Sequence, residues 1–281
     1  MPRTAIVTDS TTYIPQDLVK KYGIYVAPQQ IIWGTQTYRD GVDMSSTQFY
    51  ERLKNDKENP KTSQASPGTF KELFSEALKS ADSVLAIVLS SKLSQTFNSA
   101  NVAKSEFPGA QIEVVDSLAT AMATGFMALA AARAAAEGKS LADLKKMAED
   151  NISKVGVVFV VDTLDYLHRG GRIGGAQKFI GNALNVKPVL ELRDGRVEPL
   201  ERVRTKKKAV EFMLNTIAGR VAGKGRLQLA TLHANAEAEA RELLAAATEK
   251  MKPAETLFTE VSPAVGAHTG PGTVGLAWMV G

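Results

Sequence analysis

Short apolar segments alternate with helix-forming segments through the first half of the 281-residue chain, and this alternation restricts the fold more than any other feature of the sequence. Strands are predicted at Thr4–Asp9, Ser83–Leu89 and Gln111–Asp116, with Tyr25–Trp33 as a further extended segment. Helices are predicted between them at Asp17–Tyr22, Ser46–Lys54, Pro67–Lys79, Ser94–Phe107, an alanine-rich stretch ending near Gly138, and Leu141–Lys154. Strands and helices in alternation are typical of an α/β fold with a parallel sheet.

The pattern changes after the apolar segment Val155–Val161. Val186–Leu192 and Arg196–Val203 flank Asp194-Gly195, a pair that is a strong signal for a tight β-hairpin. The later elements are predicted as a helix from Thr205 to about Val221, a strand at Leu227–Leu232, a helix at Ala234–Met251, and strands at Thr256–Val261 and Thr273–Val280. The second half therefore predicts a mixed sheet with an antiparallel part, and we expect two domains, residues 1–160 and 161–281.

Composition excludes several classes of protein. Apolar residues make up 44% of the chain, and the net charge of +4 is too small to indicate nucleic-acid binding without a clustered basic patch. The absence of cysteine excludes disulfides, thiolate metal sites and a catalytic thiol. The amino-terminal segment lacks the pattern of a signal peptide, and no window approaches the roughly 20 apolar residues of a membrane span. We expect a soluble, cytoplasmic protein.

The segment AHTGPGTVG, residues 267–275, contains the letters of a dinucleotide-binding fingerprint. That fingerprint requires a helix and a second strand after it, and only six residues follow Gly275. We therefore expect no nucleotide here. A tight turn into the last strand accounts for the glycines. We expect His268 and Thr269 to lie in a loop before this turn, and they leave a second interpretation open, in which the glycines allow close approach to a ligand.

Two segments, KTSQASPG at residues 61–68 and LSSKLSQTFNSA at residues 89–100, carry more hydroxyl groups than helix capping requires. Both lie where an extended segment meets a helix, and such an edge of an α/β sheet is a common binding site for anions. No G-x-S-x-G motif is present, the P-loop pattern fails because Arg133 stands where its first glycine is needed, and no metal-ligand cluster is visible. The hydroxyl groups therefore predict an anion site of undetermined chemistry.

These residues together show that the chain resembles the DegV family of bacterial fatty-acid-binding proteins that serve a fatty-acid kinase. The resemblance runs nearly end to end, through TDSTTYIP, KTSQASPG, SSKLSQTFNSA, VVDSLATAMATG, DTLDYLHRGGRIG, VKPVLEL, VEPLERVRT and AHTGPGTVG. It implies a parallel-sheet domain and a mixed-sheet domain with a lipid tunnel between them. It also implies that hydroxyl groups matching Thr62 and Ser94 hold the fatty-acid carboxylate, with His268 nearby.

The candidate ligand-binding residues are Thr62, Ser63, Ser94, Gln95, Thr96, His268, Thr269 and Gly270. We expect uncharged donors to hold the carboxylate without a lysine or arginine, because a neutral site would leave the oxygen nucleophilic. Three positions depart from the usual family pattern: Ala65 replaces a common proline, Gln95 a glycine and Phe97 a tyrosine. Of these, Gln95 could crowd the head group or add a hydrogen bond to it.

A basic strip contains Arg169, Arg172, Arg202 and Arg204, followed by Lys206-Lys207-Lys208 in the first turn of a predicted helix, where cations oppose the helix dipole. The alternatives are a solvated surface, a docking surface for the kinase, transient contact with anionic membrane lipid, and nucleic acid, which we rank last. The resemblance favours kinase docking for Arg172 and Arg202.

The resulting hypothesis is a carrier, not itself an enzyme. It would bind a long-chain fatty acid such as palmitate, use no cofactor, and present the carboxylate to a separate ATP-dependent fatty-acid kinase, which forms the acyl phosphate. Two alternatives stay open at this point. One is a small-molecule enzyme acting on a phosphorylated or carboxylate substrate in the cleft, and the other is a nucleic-acid-binding regulator.

Overall fold

The computed structural model describes residues 3–56, 58–180 and 186–281. Its strands are β1 (Thr4–Asp9), β2 (Tyr25–Ala27), β3 (Gln30–Trp33), β4 (Gln36–Arg39), β5 (Lys61–Ser63), β6 (Ser83–Val88), β7 (Gln111–Asp116), β8 (Val155–Val160), β9 (Lys187–Arg193), β10 (Arg196–Val203), β11 (Leu227–His233), β12 (Glu255–Leu257) and β13 (Val274–Val280). The predicted strands at 4–9 and 111–116 match residue for residue, because each is an apolar segment closed by turn-forming residues.

The α-helices are α1 (Gln16–Tyr22), α2 (Ser46–Asn55), α3 (Pro67–Leu78), α4 (Thr96–Ser105), α5 (Ala121–Ala136), α6 (Leu141–Asn151), α7 (Asp165–Arg169), α8 (Lys206–Val221), α9 (Glu237–Met251) and α10 (Pro263–Thr269). Short 3-10 turns occupy Ser10–Thr12, Ile152–Lys154 and Gly174–Phe179. Ser66 caps α3 and Thr205 caps α8 through side-chain oxygens that accept from backbone N–H groups, as the sequence predicts. None of the helices in the described ranges is long and apolar enough to cross a bilayer.

The first half of the chain forms a four-stranded parallel sheet in the order β2-β1-β6-β7. The predicted extended segment Tyr25–Trp33 is interrupted at Pro28-Gln29, so that β2 belongs to this sheet and β3 to another. Strands β4, β3 and β5 make that second, antiparallel sheet. The sequence did not predict β4 and β5 because strands of three or four residues carry too little periodicity.

The second half forms a six-stranded sheet in the order β10-β9-β8-β13-β11-β12, in which only the β11–β12 pair is parallel. Asp194 and Gly195 join β9 to β10 with φ of 51° and 78°, the two positive values that a tight hairpin turn requires. The predicted α/β fold, with a parallel sheet followed by a mixed sheet, is confirmed.

Helix α5 connects the two main sheets. Twelve of its 16 residues are buried, and it contacts β1 and β6 of the parallel sheet as well as β8, β11 and β13 of the mixed one. A helix that is buried on nearly all sides needs small side chains to approach its neighbours, which explains its alanine content. One continuous hydrophobic core extends from this helix into both halves. The division into domains at residue 160 stays a prediction.

The glycines of AHTGPGTVG serve close packing around the turn into β13. Gly270 and Gly272 have φ of 76° and 79°, a region that favours glycine. A side chain at Gly270 would overlap the ring of Tyr166, and one at Gly272 would overlap the carboxylate of Asp162. The space that these glycines leave is therefore occupied by protein side chains. The prediction of a loop for His268 was wrong, because His268 lies in the last turn of α10.

Candidate functional site

A cavity of about 100 Å³ lies between the two main sheets. This slot is several times larger than the about 10–15 Å³ that a cavity needs to hold one water molecule. Both halves of the chain contribute apolar side chains to its lining, among them Leu89, Leu93, Val157, Phe159, Leu167, Leu192, Val197, Leu232, Val261 and Val265. A slot with such walls favours hydrocarbon over water.

The lining of this slot also contains polar side chains. Five of the eight predicted ligand-binding residues line it: Thr62, Ser63, Ser94, His268 and Thr269. Thr62 and His268 are 206 positions apart in sequence, yet Oγ1 of Thr62 lies 2.7 Å from Nε2 of His268. The fold therefore brings together hydroxyl groups and an imidazole that the sequence separates.

Short elements hold these donors in place. Thr62 is the middle residue of β5, where it pairs with Ile31 of β3. Ser94 lies between β6 and α4, at the carboxyl side of the parallel sheet. His268 is carried by α10, whose amino terminus is fixed by Ser262 accepting from the backbone N–H of Val265 at 3.2 Å. The donors thus come from three segments of the chain.

The imidazole of His268 is neutral at physiological pH. Burial, with a smaller contribution from the nearby Arg172, lowers the pKa of His268 to about 4. Nδ1 is buried and has no hydrogen-bond partner among the described residues. An orphaned buried N–H is rarer in proteins than an orphaned acceptor, so we assign the proton to Nε2. In this tautomer Nε2 donates to Thr62 Oγ1, and the Thr62 O–H is free to donate to a ligand.

The remaining predicted ligand-binding residues, Gln95, Thr96 and Gly270, do not line the slot. Gln95 is exposed. Thr96 is fully buried, and its Oγ1 lies 2.9 Å from Oγ of Ser94. Thr96 is therefore placed to orient Ser94. Direct contact of these three residues with a ligand stays a prediction.

Gln29 is a residue of the site that the sequence analysis missed. It lines the slot, is buried, and its Nε2 donates to Thr96 Oγ1 at 3.1 Å. Its Oε1 accepts from the backbone N–H of Ala65 at 3.2 Å, a hydrogen bond that the proline common at this position could not donate. The amide thus connects the Ser94 and Thr62 segments. A single glutamine after Pro28 gives no sequence signal of this role.

The sequence and fold have close relatives among known proteins. The family model described as "Uncharacterised protein, DegV family" matches residues 3–280. The chain belongs to the DegV family. It is 37% identical over 276 residues to Protein DegV of Bacillus subtilis, with 98% of each chain covered.

Solved DegV structures share the whole fold. A fatty-acid-binding DegV protein from Thermus thermophilus superposes with a TM-score of 0.92 at 38% identity, covering 99% of each chain. The structure of DegV from Bacillus subtilis, itself named a fatty acid binding protein, gives a TM-score of 0.92 at 35% identity and covers both chains completely. The recognition of the family from the sequence is confirmed.

The lining of the slot also contains an arginine, although the expectation that uncharged donors hold the carboxylate stays a prediction. Arg172 lines the same slot as Thr62 and His268. Its Nε donates to the carbonyl of Leu93 at 3.0 Å, and its Nη1 donates to the carbonyl of Gly170 at 2.8 Å. The turn at Gly170-Gly171 bends the chain so that this guanidinium faces the slot, which sequence position alone does not reveal.

Gly170 also fixes the imidazole of this DegV site. A side chain at Gly170 would overlap Nδ1 of His268, so the ring lies directly against the backbone there. The other arginines of the predicted basic strip, Arg169, Arg202 and Arg204, are exposed. Their docking role stays a prediction.

Lys206 of the basic strip has a structural role. Its Nζ donates to the carbonyl of Gly272 at 2.6 Å and forms an ion pair with Glu239 at 2.6 Å. These contacts offset the unfavourable position of a cation in the first turn of α8. Lys207 and Lys208 are exposed.

Proposed function

We propose that this protein binds one long-chain fatty acid in the slot and presents its carboxylate to a separate ATP-dependent fatty-acid kinase, which forms the acyl phosphate. The observation that carries the proposal is the combination, in one cavity, of apolar walls with hydroxyl donors and a neutral imidazole. The fatty acids named for the DegV proteins of Thermus thermophilus and Bacillus subtilis support the same ligand class.

The hydrocarbon tail supplies most of the binding free energy. Each buried methylene contributes about 0.8 kcal/mol, so that a chain of about 16 carbons contributes on the order of 10 kcal/mol before the costs of association. On one side the lining belongs to the mixed sheet, where Val157 and Phe159 lie in β8 between β9 and β13. A preformed slot reduces the ordering cost on binding.

The carboxylate requires donors because a buried, unpaired charge costs several kcal/mol. The hydroxyl groups of Thr62 and Ser94 line the slot and can donate to the carboxylate. Ser94 is oriented by its hydrogen bond with Thr96, which in turn accepts from Gln29. Arg172 adds a positive charge at the same place, but two of its nitrogens donate to backbone carbonyls. The carboxylate is therefore held mainly by neutral donors, and its oxygen keeps nucleophilic character toward a phosphoryl donor.

Replacing Ser94 by alanine is expected to weaken palmitate binding by about tenfold or more, because the variant loses one hydrogen bond to a charged group. The measurement is calorimetric titration of delipidated protein with palmitate. Ser91→Ala is the matched control, because Ser91 lies three residues away and does not line the slot. Equal affinity of the Ser94 variant and the wild-type protein would remove Ser94 from the site.

Phosphoryl transfer is assigned to the partner kinase, with the exposed arginines as its docking surface. Arg202 extends from β10, and its guanidinium lies 4.8 Å from the ring centroid of Phe179. We expect Arg202→Glu to preserve palmitate affinity and to abolish acyl-phosphate formation in an assay with the kinase and ATP. Lys139→Glu, an equal charge change at an exposed position between α5 and α6, should leave turnover unchanged. Normal turnover of the Arg202 variant would contradict docking at this surface.

A further inference from the structure

A second cavity adjoins the first and shares three residues with it. This outer basin has a volume of about 340 Å³ and is lined by Asn59, Pro60, Lys61, Thr62, Tyr166, Arg169, Gly170, Arg172, Ala267 and His268. Thr62, Arg172 and His268 line both the basin and the apolar slot. The hydrogen-bonded pair Thr62–His268 therefore stands at the junction of an apolar compartment and a polar one.

The lining of the outer basin is cationic. It contains Lys61, Arg169 and Arg172, and it contains no carboxylate. None of these three cations forms a salt bridge with an acidic residue in the described ranges of the chain. Positive charges that converge on a concavity without a protein counterion favour an anionic ligand.

The cations differ in how firmly they are held. Arg172 is fixed by its hydrogen bonds to Leu93 and Gly170. The guanidinium of Arg169 lies 5.2 Å from the ring centroid of Tyr166, which also lines the basin. Lys61 precedes Thr62 in β5 and is exposed. Two arginines placed by other groups, with one adjustable lysine, suit a tetrahedral anion with several oxygens.

We propose that the outer basin is a phosphate subsite for a single-chain lipid whose phosphate is attached directly at the head-group end, with Lys61 and Arg169 as its specificity-determining residues. A carboxylate at the junction accepts from the hydroxyl groups of Thr62 and Ser94 and leaves the basin empty. A phosphate attached at that point extends past the Thr62–His268 pair into the basin, where it meets cations that a fatty acid does not need. The inference rests on the proposed function, because the acyl phosphate formed there is such a lipid.

The test compares two ligands of equal chain length, palmitate and the hydrolysis-resistant hexadecyl phosphate, by titration of delipidated protein. We expect Lys61→Gln and Arg169→Gln each to weaken binding of hexadecyl phosphate by about tenfold, because each variant loses a charge-assisted contact with the phosphate. Both variants should keep wild-type affinity for palmitate, which also shows that they are folded. Lys139→Gln is the matched control for a general change of charge, and it should alter neither affinity.

A third ligand, palmitoyl lysophosphatidate, distinguishes the two lipid sources of a phosphate, because its glycerol separates the phosphate from the acyl chain. The proposal would be overturned if the substitutions at Lys61 and Arg169 weakened the binding of lysophosphatidate alone. It would also be overturned if neither substitution changed the affinity for hexadecyl phosphate. Failure of the wild-type protein to bind palmitate would instead contradict the proposed function. The two failures are therefore distinguishable.

Discussion

Replacing Val265 by tryptophan is expected to reduce palmitate affinity at least 100-fold. Val265 lies on α10, is half-buried, and lines the apolar slot one turn before His268. An indole at this position would fill part of the slot and exclude several methylenes, each of which contributes about 0.8 kcal/mol. Calorimetric titration with palmitate measures the loss.

The control for this substitution is Val102→Trp, because Val102 is an exposed valine on α4 with 43% of its surface accessible. We expect the control to bind palmitate like the wild-type protein. Thermal unfolding of both variants verifies that they fold. Undiminished binding by a folded Val265 variant would show that the tail does not occupy this slot.

Replacing Asp40 by asparagine is expected to flatten the pH dependence of stability between pH 5 and pH 8. Asp40 is buried, and the hydroxyl of Ser10 donates to its Oδ2 at 2.7 Å. Burial raises the pKa of Asp40 from 3.8 to about 7. The folded state therefore binds a proton that the unfolded state has lost, and this stabilisation is complete below pH 3.8 and disappears as the pH rises through 7.

At 1.36 kcal/mol per pH unit, the wild-type protein loses about 3 kcal/mol between pH 5 and pH 7, out of about 4 kcal/mol for the whole interval from pH 3.8 to 7, and the asparagine variant does not. Urea unfolding at pH 5 and pH 8 measures the difference. Asp43→Asn is the control: its exposed carboxylate pairs with Arg39, which lowers the pKa of Asp43 to about 2, so it stays ionised throughout. Equal slopes for the Asp40 variant and the wild-type protein would contradict a proton on Asp40.

The regular elements of the fold were predictable from local features. Apolar strands closed by turn residues, the caps at Ser66 and Thr205, and the Asp194-Gly195 turn each carry their signal within a few residues. The elements that escaped prediction are those whose stability comes from distant partners. Strand β5 exists because it pairs with β3, and α10 is a seven-residue helix that packs against α2, β3 and β5.

The candidate site likewise contains residues that the sequence predicted and residues that it did not. Hydroxyl-rich segments, and the resemblance that they support, pointed to Thr62, Ser94 and His268, which the fold brings to one slot. Gln29 could not be predicted, because its role depends on hydrogen bonds to Thr96 and Ala65, which lie 67 and 36 positions away. The position of Arg172 beside His268 depends on the turn at Gly170-Gly171, so sequence patterns assigned it to the surface.

Native mass spectrometry of delipidated protein titrated with palmitate tests the central claim most directly, because it counts bound molecules. We expect a single adduct of one palmitate per chain, which saturates and is lost when Val265 is replaced by tryptophan. No adduct, or several adducts that increase without saturation and are the same in the Val265 variant, would contradict a fatty-acid slot between the two sheets.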